Sequence, residues 1–128
     1  MSYKIISEIL GFQDTAEVNI NEIDALFSTM IDSNNANISF TLVNPYALRE
    51  YPIEIPIDMK NLLEINDKSK ISVYNILLIQ KPLEKSVINF LAPIIINHDN
   101  KHLAQIILDP KKHPEYGMAE TIESFKES

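Results

Sequence analysis

The sequence predicts an all-β fold with two or three short helices, and three observations carry that prediction. Of the 128 residues, 21 are Ile, 4 Val and 4 Thr, so 29 side chains are β-branched, and they are spread in short runs along almost the whole chain. Branching at Cβ stiffens χ1 and suits the pleated backbone. Several of these runs alternate apolar and polar residues, the period of two that turns one face of a strand inward. Between them stand Asn, Asp and Pro in groupings that turn a chain. The composition, 45% apolar and 23% charged, is a globular mixture, and the length suits one sizeable core. A single domain over residues 1–128 is expected.

Taken in order, Tyr3 to Ile9 interleaves Tyr3, Ile5 and Ile9 with Lys4 and Glu8. Gly11 permits a turn before Phe12, and Ala16 to Ile20 forms the return strand. The group Asp32-Ser33-Asn34-Asn35 is a turn joining Ile23–Ile31 to Asn37–Val43, where Ile38, Phe40 and Leu42 alternate with Asn37, Ser39 and Thr41. Asn44-Pro45-Tyr46 stops that strand, because proline has no donor for the ladder. Tyr51 to Ile57 carries Ile53, Ile55 and Ile57 at a period of two but also Pro52 and Pro56, so it can be extended only at a sheet edge or in a surface crossing. Asp58 to Ile65 places Met59, Leu62 and Leu63 at helical spacing, with Asp58 as N-cap. Ser69 to Ile79 begins by alternating and ends in the apolar run Ile76–Ile79, as a strand passing from half-buried to buried would. Ile94–Asn97, the turn His98-Asp99-Asn100 and His102–Leu108 form a hairpin at the centre of the core. After Asp109-Pro110, the spacing of Tyr116, Ala119, Ile122 and Phe125 predicts a C-terminal amphipathic helix.

Charge and composition exclude several functions. Residues 1–58 hold nine acidic side chains against only Lys4 and Arg49, whereas residues 59–128 hold nine of each sign. The acidic half repels phosphates, and Lys111-Lys112 are the only adjacent cations, so direct nucleic-acid binding is not expected. This half either attracts a basic protein or is a solvated surface that aids solubility. The longest apolar run, Val87 to Ile96, is ten residues and is broken by Asn89 and Pro93, whereas a spanning helix needs about 20. No membrane span is expected. The N-terminus has no signal-peptide pattern, which makes the cytoplasm the default. With no Cys and only Gly11 and Gly117, there is no disulfide framework, thiolate site or Gly-rich phosphate loop, and no cofactor is implied.

Few side chains suggest chemistry. His98 and His102 are four apart with Asp99 between them, but the neighbouring turn residues make them exposed turn histidines rather than metal ligands. His113 has no companion. Glu50, Glu54 and Asp58 lie in a proline-broken segment where helical i, i+4 spacing does not apply, so no catalytic acid/base pair is assigned. Tyr46, Tyr51 and Tyr74 either form a binding surface or complete the core. In Ser86–Asn97, Asn89 and Asn97 bracket an apolar stretch in which Pro93 interrupts the ladder, so the backbone bends there and exposes some groups. That segment is either a partner-docking ridge or a buried bend whose Asn side chains satisfy local backbone groups.

The segment NFLAPIIIN (Asn89–Asn97), followed by a short turn and AQIILD, closely resembles the most characteristic motif of the flagellar assembly factor FliW. The pieces ILGF (Ile9–Phe12), ISFTLVNPY (Ile38–Tyr46), YPIEIP (Tyr51–Pro56) and SVYNILLIQKPLEKS (Ser72–Ser86) resemble their FliW counterparts in the same order. The resemblance covers nearly the whole chain and implies a compact, barrel-like β fold. It also implies a non-enzymatic cytoplasmic regulator that binds two partners, flagellin and the translational repressor CsrA. Flagellin occupies the factor until it is exported, and the freed factor then sequesters CsrA and lifts repression of flagellin translation. A duplicated family member that engages only one partner is the alternative. By the same resemblance, Asn89, Phe90, Leu91, Ala92, Pro93 and Asn97, then Asn44, Pro45 and Tyr46, shape or line a partner surface. The tail beyond His113-Pro114 is expected to depart from shorter members and to cover a surface open in them.

Overall fold

The computed structural model describes residues 2–7, 9, 14–117 and 120–121. Among these residues nine strands form one sheet: β1 (Ser2–Ser7), β2 (Glu17–Glu22), β3 (Phe27–Asp32), β4 (Asn35–Val43), β5 (Ile71–Leu78), β6 (Val87–Ile88), β7 (Ile94–Asn97), β8 (His102–Gln105) and β9 (Glu120–Thr121). Seven of them close on themselves in the order β4-β3-β2-β1-β8-β7-β5, with β5 returning to β4, and this ring is a barrel. All pairs in the ring are antiparallel except β1 with β8. The expected barrel-like all-β fold is thus observed. The closing seam is short: only Thr41, Leu42 and Val43 pair with Leu77, Ile76 and Asn75. On the opposite side of β5, β7 pairs with Ile71–Tyr74 and β6 takes over at Leu77–Leu78, with β9 beyond it.

The strands carry two cores. Tyr3, Val18, Met30, Phe40, Leu42, Ile94, Ile96 and Leu103 fill the barrel. A second core lies outside, where Val73, Leu77, Ile95 and Ala104 are covered by Tyr51, Leu63, Ile88, Phe90, Leu91, Ile106, Leu108 and Tyr116. Strand β7 therefore sends Ile94 and Ile96 into one core and Ile95 into the other, and all four of its residues are buried. This is why its sequence is a continuous apolar run. Asn97 is 1% exposed and donates to the carbonyls of Leu63 (2.8 Å) and Glu64 (3.3 Å), so its one polar side chain holds the segment that covers it.

Four expectations need correction. Only the first half of the run Ile76–Ile79 reaches a core: β5 keeps alternating, with Leu77 buried and Ile76 half-buried, whereas Leu78 and Ile79 are 61% and 55% exposed where the strand outruns the barrel. The helix is α1 (Ile57–Leu62), its N-cap is Pro56, and Asp58 instead sits in the first turn, where its carboxylate accepts from the Met59 N–H (3.0 Å). There a carboxylate favours the positive end of the helix dipole. His98 is half-buried, with Nδ1 3.2 Å from the Tyr3 hydroxyl and Nε2 2.6 Å from the Ser72 hydroxyl, and His102 is half-buried too. The His98 ring thus braces the turn rather than projecting from it, while the His102 Nδ1 is buried without a partner among the described residues. Lastly, Glu120–Thr121 is strand β9, paired with β6, where a C-terminal helix was expected. The remainder of that proposed helix, Ala119, Ile122 and Phe125, and the Gly11 turn with Phe12 lie outside the described residues. The segment Tyr51–Pro56 is extended but joins no ladder.

Because β7 is packed on both faces, Ile95→Ala should lower the free energy of unfolding by about 2–5 kcal/mol. Ile79→Thr, on the exposed end, should stay within about 0.5 kcal/mol of the parent. Urea unfolding followed by circular dichroism measures both, and equal effects would refute the two-core description.

Candidate functional site

The bend between β6 and β7 is built by hydrogen bonds from five directions. The Asn89 carbonyl accepts from the Asn75 side-chain amide (3.0 Å) and the Phe90 carbonyl from the Tyr51 hydroxyl. The Leu91 and Pro93 carbonyls accept from the Leu108 (2.7 Å) and Ile106 (3.0 Å) N–H groups, and the Ala92 carbonyl from the Gln105 amide (3.2 Å). Phe90 N–H donates to Gly117 O (3.0 Å), and the Asn89 side chain accepts from Leu91 N–H (3.0 Å). The backbone changes direction at Phe90–Ala92, just before Pro93, and these carbonyls are not exposed, contrary to expectation. Phe90, Leu91, Ala92 and Pro93 are buried, Asn97 is buried, and Asn89 is half-buried. They give the surface above them its shape instead of forming it.

That shape depends on an aromatic and cationic cluster. Tyr51, 2% exposed, stands 4.7 Å from Tyr116 and 5.5 Å from Phe90, ring centroid to centroid. The Asn75 amide donates to the Tyr51 hydroxyl (3.3 Å), and the Tyr116 hydroxyl donates to Pro52 O (2.9 Å). Arg49 lays its guanidinium over Tyr116 (4.7 Å) and Phe90 (5.3 Å) and reaches Glu120 (3.6 Å). Cation–π contact and ion pairing together fix the loops around it. Sequence reasoning missed Arg49 and Asn75. For Asn75 a signal existed: it shares the inward parity of Val73 and Leu77, so it had to be buried and partnered. Its amide oxygen still finds no donor among the described residues. Burial raises the phenol pKa of Tyr51 well above its ordinary value, with the Asn75 hydrogen bond acting in the opposite direction, and burial likewise raises Tyr3, Tyr46 and Tyr116.

Asn44, Pro45 and Tyr46 form the other expected element. Pro45–Ala47 is a 3-10 turn, capped by the Asn44 side chain, which accepts from Tyr46 N–H (3.1 Å). Asn44 N–H also donates to Leu26 O (2.8 Å), so the turn is fastened to the β2–β3 hairpin. This fastening holds the Tyr46 side chain outward, 54% exposed. Of the three tyrosines considered, Tyr46 is therefore at the surface, Tyr51 in the core and Tyr74 half-buried on β5. Beside Tyr46 lies an open recess of about 510 Å³ lined by Glu50, Tyr51, Ile53, Ile55, Ile71 and Val73. A neighbouring recess of about 220 Å³ continues along Ile71–Tyr74 to Asn44. Of this element the structure brings Tyr46 to the surface, leaves Asn44 half-buried and buries Pro45, with the bend Asn89–Asn97 beneath.

The acidic half is partly a matter of turns: Asp24 accepts from Leu26 and Phe27 N–H (2.8 and 2.7 Å), and Asp32 from Asn34 N–H (2.8 Å) and the Thr15 hydroxyl (3.1 Å). Among the described residues no cluster of His, Asp and Glu could hold a metal ion, and no helix is long and apolar enough to cross a membrane.

Fold and site define a small mixed β-barrel, filled by its own side chains, with open, largely apolar recesses beside Tyr46. A family model described as FliW protein matches residues 2–122. The chain is 44% identical over 125 residues to flagellar assembly factor FliW 2 of Wolinella succinogenes, covering 98% of this chain and 92% of that one. It is 46% identical to flagellar assembly factor FliW of Sulfurimonas denitrificans, covering 98% of each. A crystal structure of the flagellar assembly factor FliW superposes with a TM-score of 0.83 at 21% identity, over 94% of this chain and 84% of that one. The chain belongs to the FliW family of flagellar assembly factors. Matches over 98% of the chain take in the tail beyond Pro114, which is therefore shared with these relatives.

Tyr51→Phe removes the donor to Phe90 O and the acceptor for Asn75, and should cost about 1–3 kcal/mol in urea unfolding. The raised phenols also set an alkaline limit. An unfolded tyrosine ionises near pH 10, whereas the folded ones keep their protons to higher pH, so this contribution is whole below about pH 10 and declines above it. Urea midpoints measured from pH 8 to 11 should fall at the alkaline end, less steeply in Tyr51→Phe. An unchanged slope in that variant would remove Tyr51 as the cause.

Proposed function

We propose that this chain is a cytoplasmic, non-catalytic flagellar assembly factor that binds flagellin and antagonises the translational regulator CsrA, coupling flagellin export to flagellin translation. The observation that carries this reading is the near end-to-end likeness to proteins named flagellar assembly factors. Flagellin occupies the factor while it accumulates; its export frees the factor to sequester CsrA. An acidic surface suits the second step. A protein that grips RNA presents Lys and Arg to phosphates, so a docking body rich in carboxylates is attracted to it and discourages incoming RNA. The partner surface is the region of Asn44, Pro45 and Tyr46, with Asn89, Phe90, Leu91, Ala92, Pro93 and Asn97 as the bend that shapes it.

A second reading has one observation in its favour: the Wolinella relative carries a copy number in its name, FliW 2. Duplication of the factor allows one copy to serve flagellin without CsrA control.

Native mass spectrometry of the purified chain with flagellin and with CsrA distinguishes the two readings, one of which predicts both complexes. Calorimetric titrations from 50 to 500 mM salt should weaken CsrA binding several-fold and flagellin binding much less, because screening acts on charge and not on apolar contact. Equal salt dependence for both partners would count against separate surfaces.

A further inference from the structure

Among the described residues the barrel seam leaves one side of β5 at Ile71–Val73 without a paired strand, beside the 3-10 turn Pro45–Ala47. Val43 is the last residue of β4 to pair, with Asn75, and the chain then turns away through Asn44 and Pro45. Parity decides which groups this strands. His98 N–H donates to Lys70 O (2.8 Å), so Lys70, and with it Ser72 and Tyr74, directs its backbone groups towards β7. Ile71 and Val73 direct theirs the other way, as Asn75 and Leu77 do towards β4. Among the described residues no strand lies opposite Ile71 and Val73, and no hydrogen bond engages their N–H and C=O groups on this side. The two recesses beside Tyr46 run along this stretch, and the segment Tyr51–Pro56, itself outside any ladder, forms the far wall of the larger one.

An unpaired edge beside an apolar trough has the geometry of strand addition. The edge supplies main-chain hydrogen bonds and the trough receives alternate side chains. The side chains of an added strand that lie on the outer face would meet Ile71, 41% exposed, and Tyr46, Ile53 and Ile55. Charge narrows the occupant. Glu50 lines the trough, Asp24 sits in the turn to which Asn44 is fastened, and Arg49, the only cation between residues 5 and 58, is held by Glu120 and two rings. The opposite end of the seam differs. There the free stretch of β4 begins Asn35-Ala36-Asn37, and the Asn37 N–H is already taken by the Asn35 side chain (3.1 Å).

We propose that the Ile71–Tyr74 edge of β5, with the trough beside Tyr46, binds an extended segment of a partner protein carrying alternate apolar and basic side chains. The proposal rests on the reading of the Tyr46 region as a partner surface, and not on which partner supplies the segment.

The test uses the full chain labelled with 15N and a blocked seven-residue peptide of alternating Lys and Val. On titration, the amides of Ile71 and Val73 should shift. N-methylation of alternate peptide residues, tried in both phases, should weaken binding at least ten-fold in one phase. Replacing every Lys by Glu should weaken it about five-fold at low salt. Ile71→Pro removes an edge donor without removing a ladder bond and should also weaken binding about ten-fold. Where that variant does not fold, hydrogen exchange of the parent decides: Ile71 and Val73 amides should exchange at least 100-fold faster than Tyr74. Equal exchange, no shift on β5, or equal binding in both N-methylated phases would overturn the proposal. So would edge shifts that follow protein concentration without peptide, since a second copy would then be the occupant. Flagellin or CsrA binding that leaves these amides unmoved, alongside a failed peptide titration, would remove the edge and leave the proposed function standing.

Discussion

The outer half of this molecule depends on one buried polar junction, where Asn75 of β5 and the hydroxyl of Tyr51 meet the carbonyls of Asn89 and Phe90. A proline-containing bend cannot continue a ladder, and its carbonyls would be costly to bury without donors. Here the donors come from a strand side chain, a tyrosine and the segment that follows β8. With them in place, an apolar stretch can cross the face of the sheet and cover it. The Tyr51 ring then supports Phe90 and Tyr116, Arg49 lies over those two rings, and the 3-10 turn bearing Tyr46 starts four residues before Arg49. Surface geometry near Tyr46 is thus determined from beneath.

This arrangement explains how a motif can be diagnostic of a family and still be mostly hidden. Residues Phe90 to Pro93 are buried because they close the second core, so their identities are constrained by packing and by hydrogen bonding. Their effect on the surface is indirect and runs through the loops they hold. Tyr46 is the member of the set whose ring is offered to solvent, and its position is rigid because Asn44 caps the turn and ties it to the neighbouring hairpin.

Local pattern made much of the fold legible. Alternation in Asn37–Val43 located β4, the Asp-Ser-Asn-Asn group located the β3–β4 turn, and the flanks of His98-Asp99-Asn100 located the β7–β8 hairpin. What stayed illegible was non-local. Nothing in β1 or β8 announces that they pair in parallel, and nothing in β4 indicates that only three of its residues close the barrel. The run Ile76–Ile79 misleads because apolar residues continue past the point where the barrel ends. Asp58 looks like a cap, yet Pro56 already starts the helix one turn position earlier. At the site, turn chemistry revealed Asn44–Tyr46, whereas Arg49 acquires its role only from rings and a carboxylate distant in sequence.

The β7 strand has a further consequence. Ile94–Asn97 is a short, β-branched, uncharged segment, the composition that in an unprotected chain stacks into fibrils. In this fold it has a neighbour on each edge, β5 and β8, and a core on each face. The stickiest four residues of the protein are therefore the ones most thoroughly shielded, and only global unfolding would release them to self-associate. The segment with the composition for unwanted assembly is thus locked at the centre of the fold.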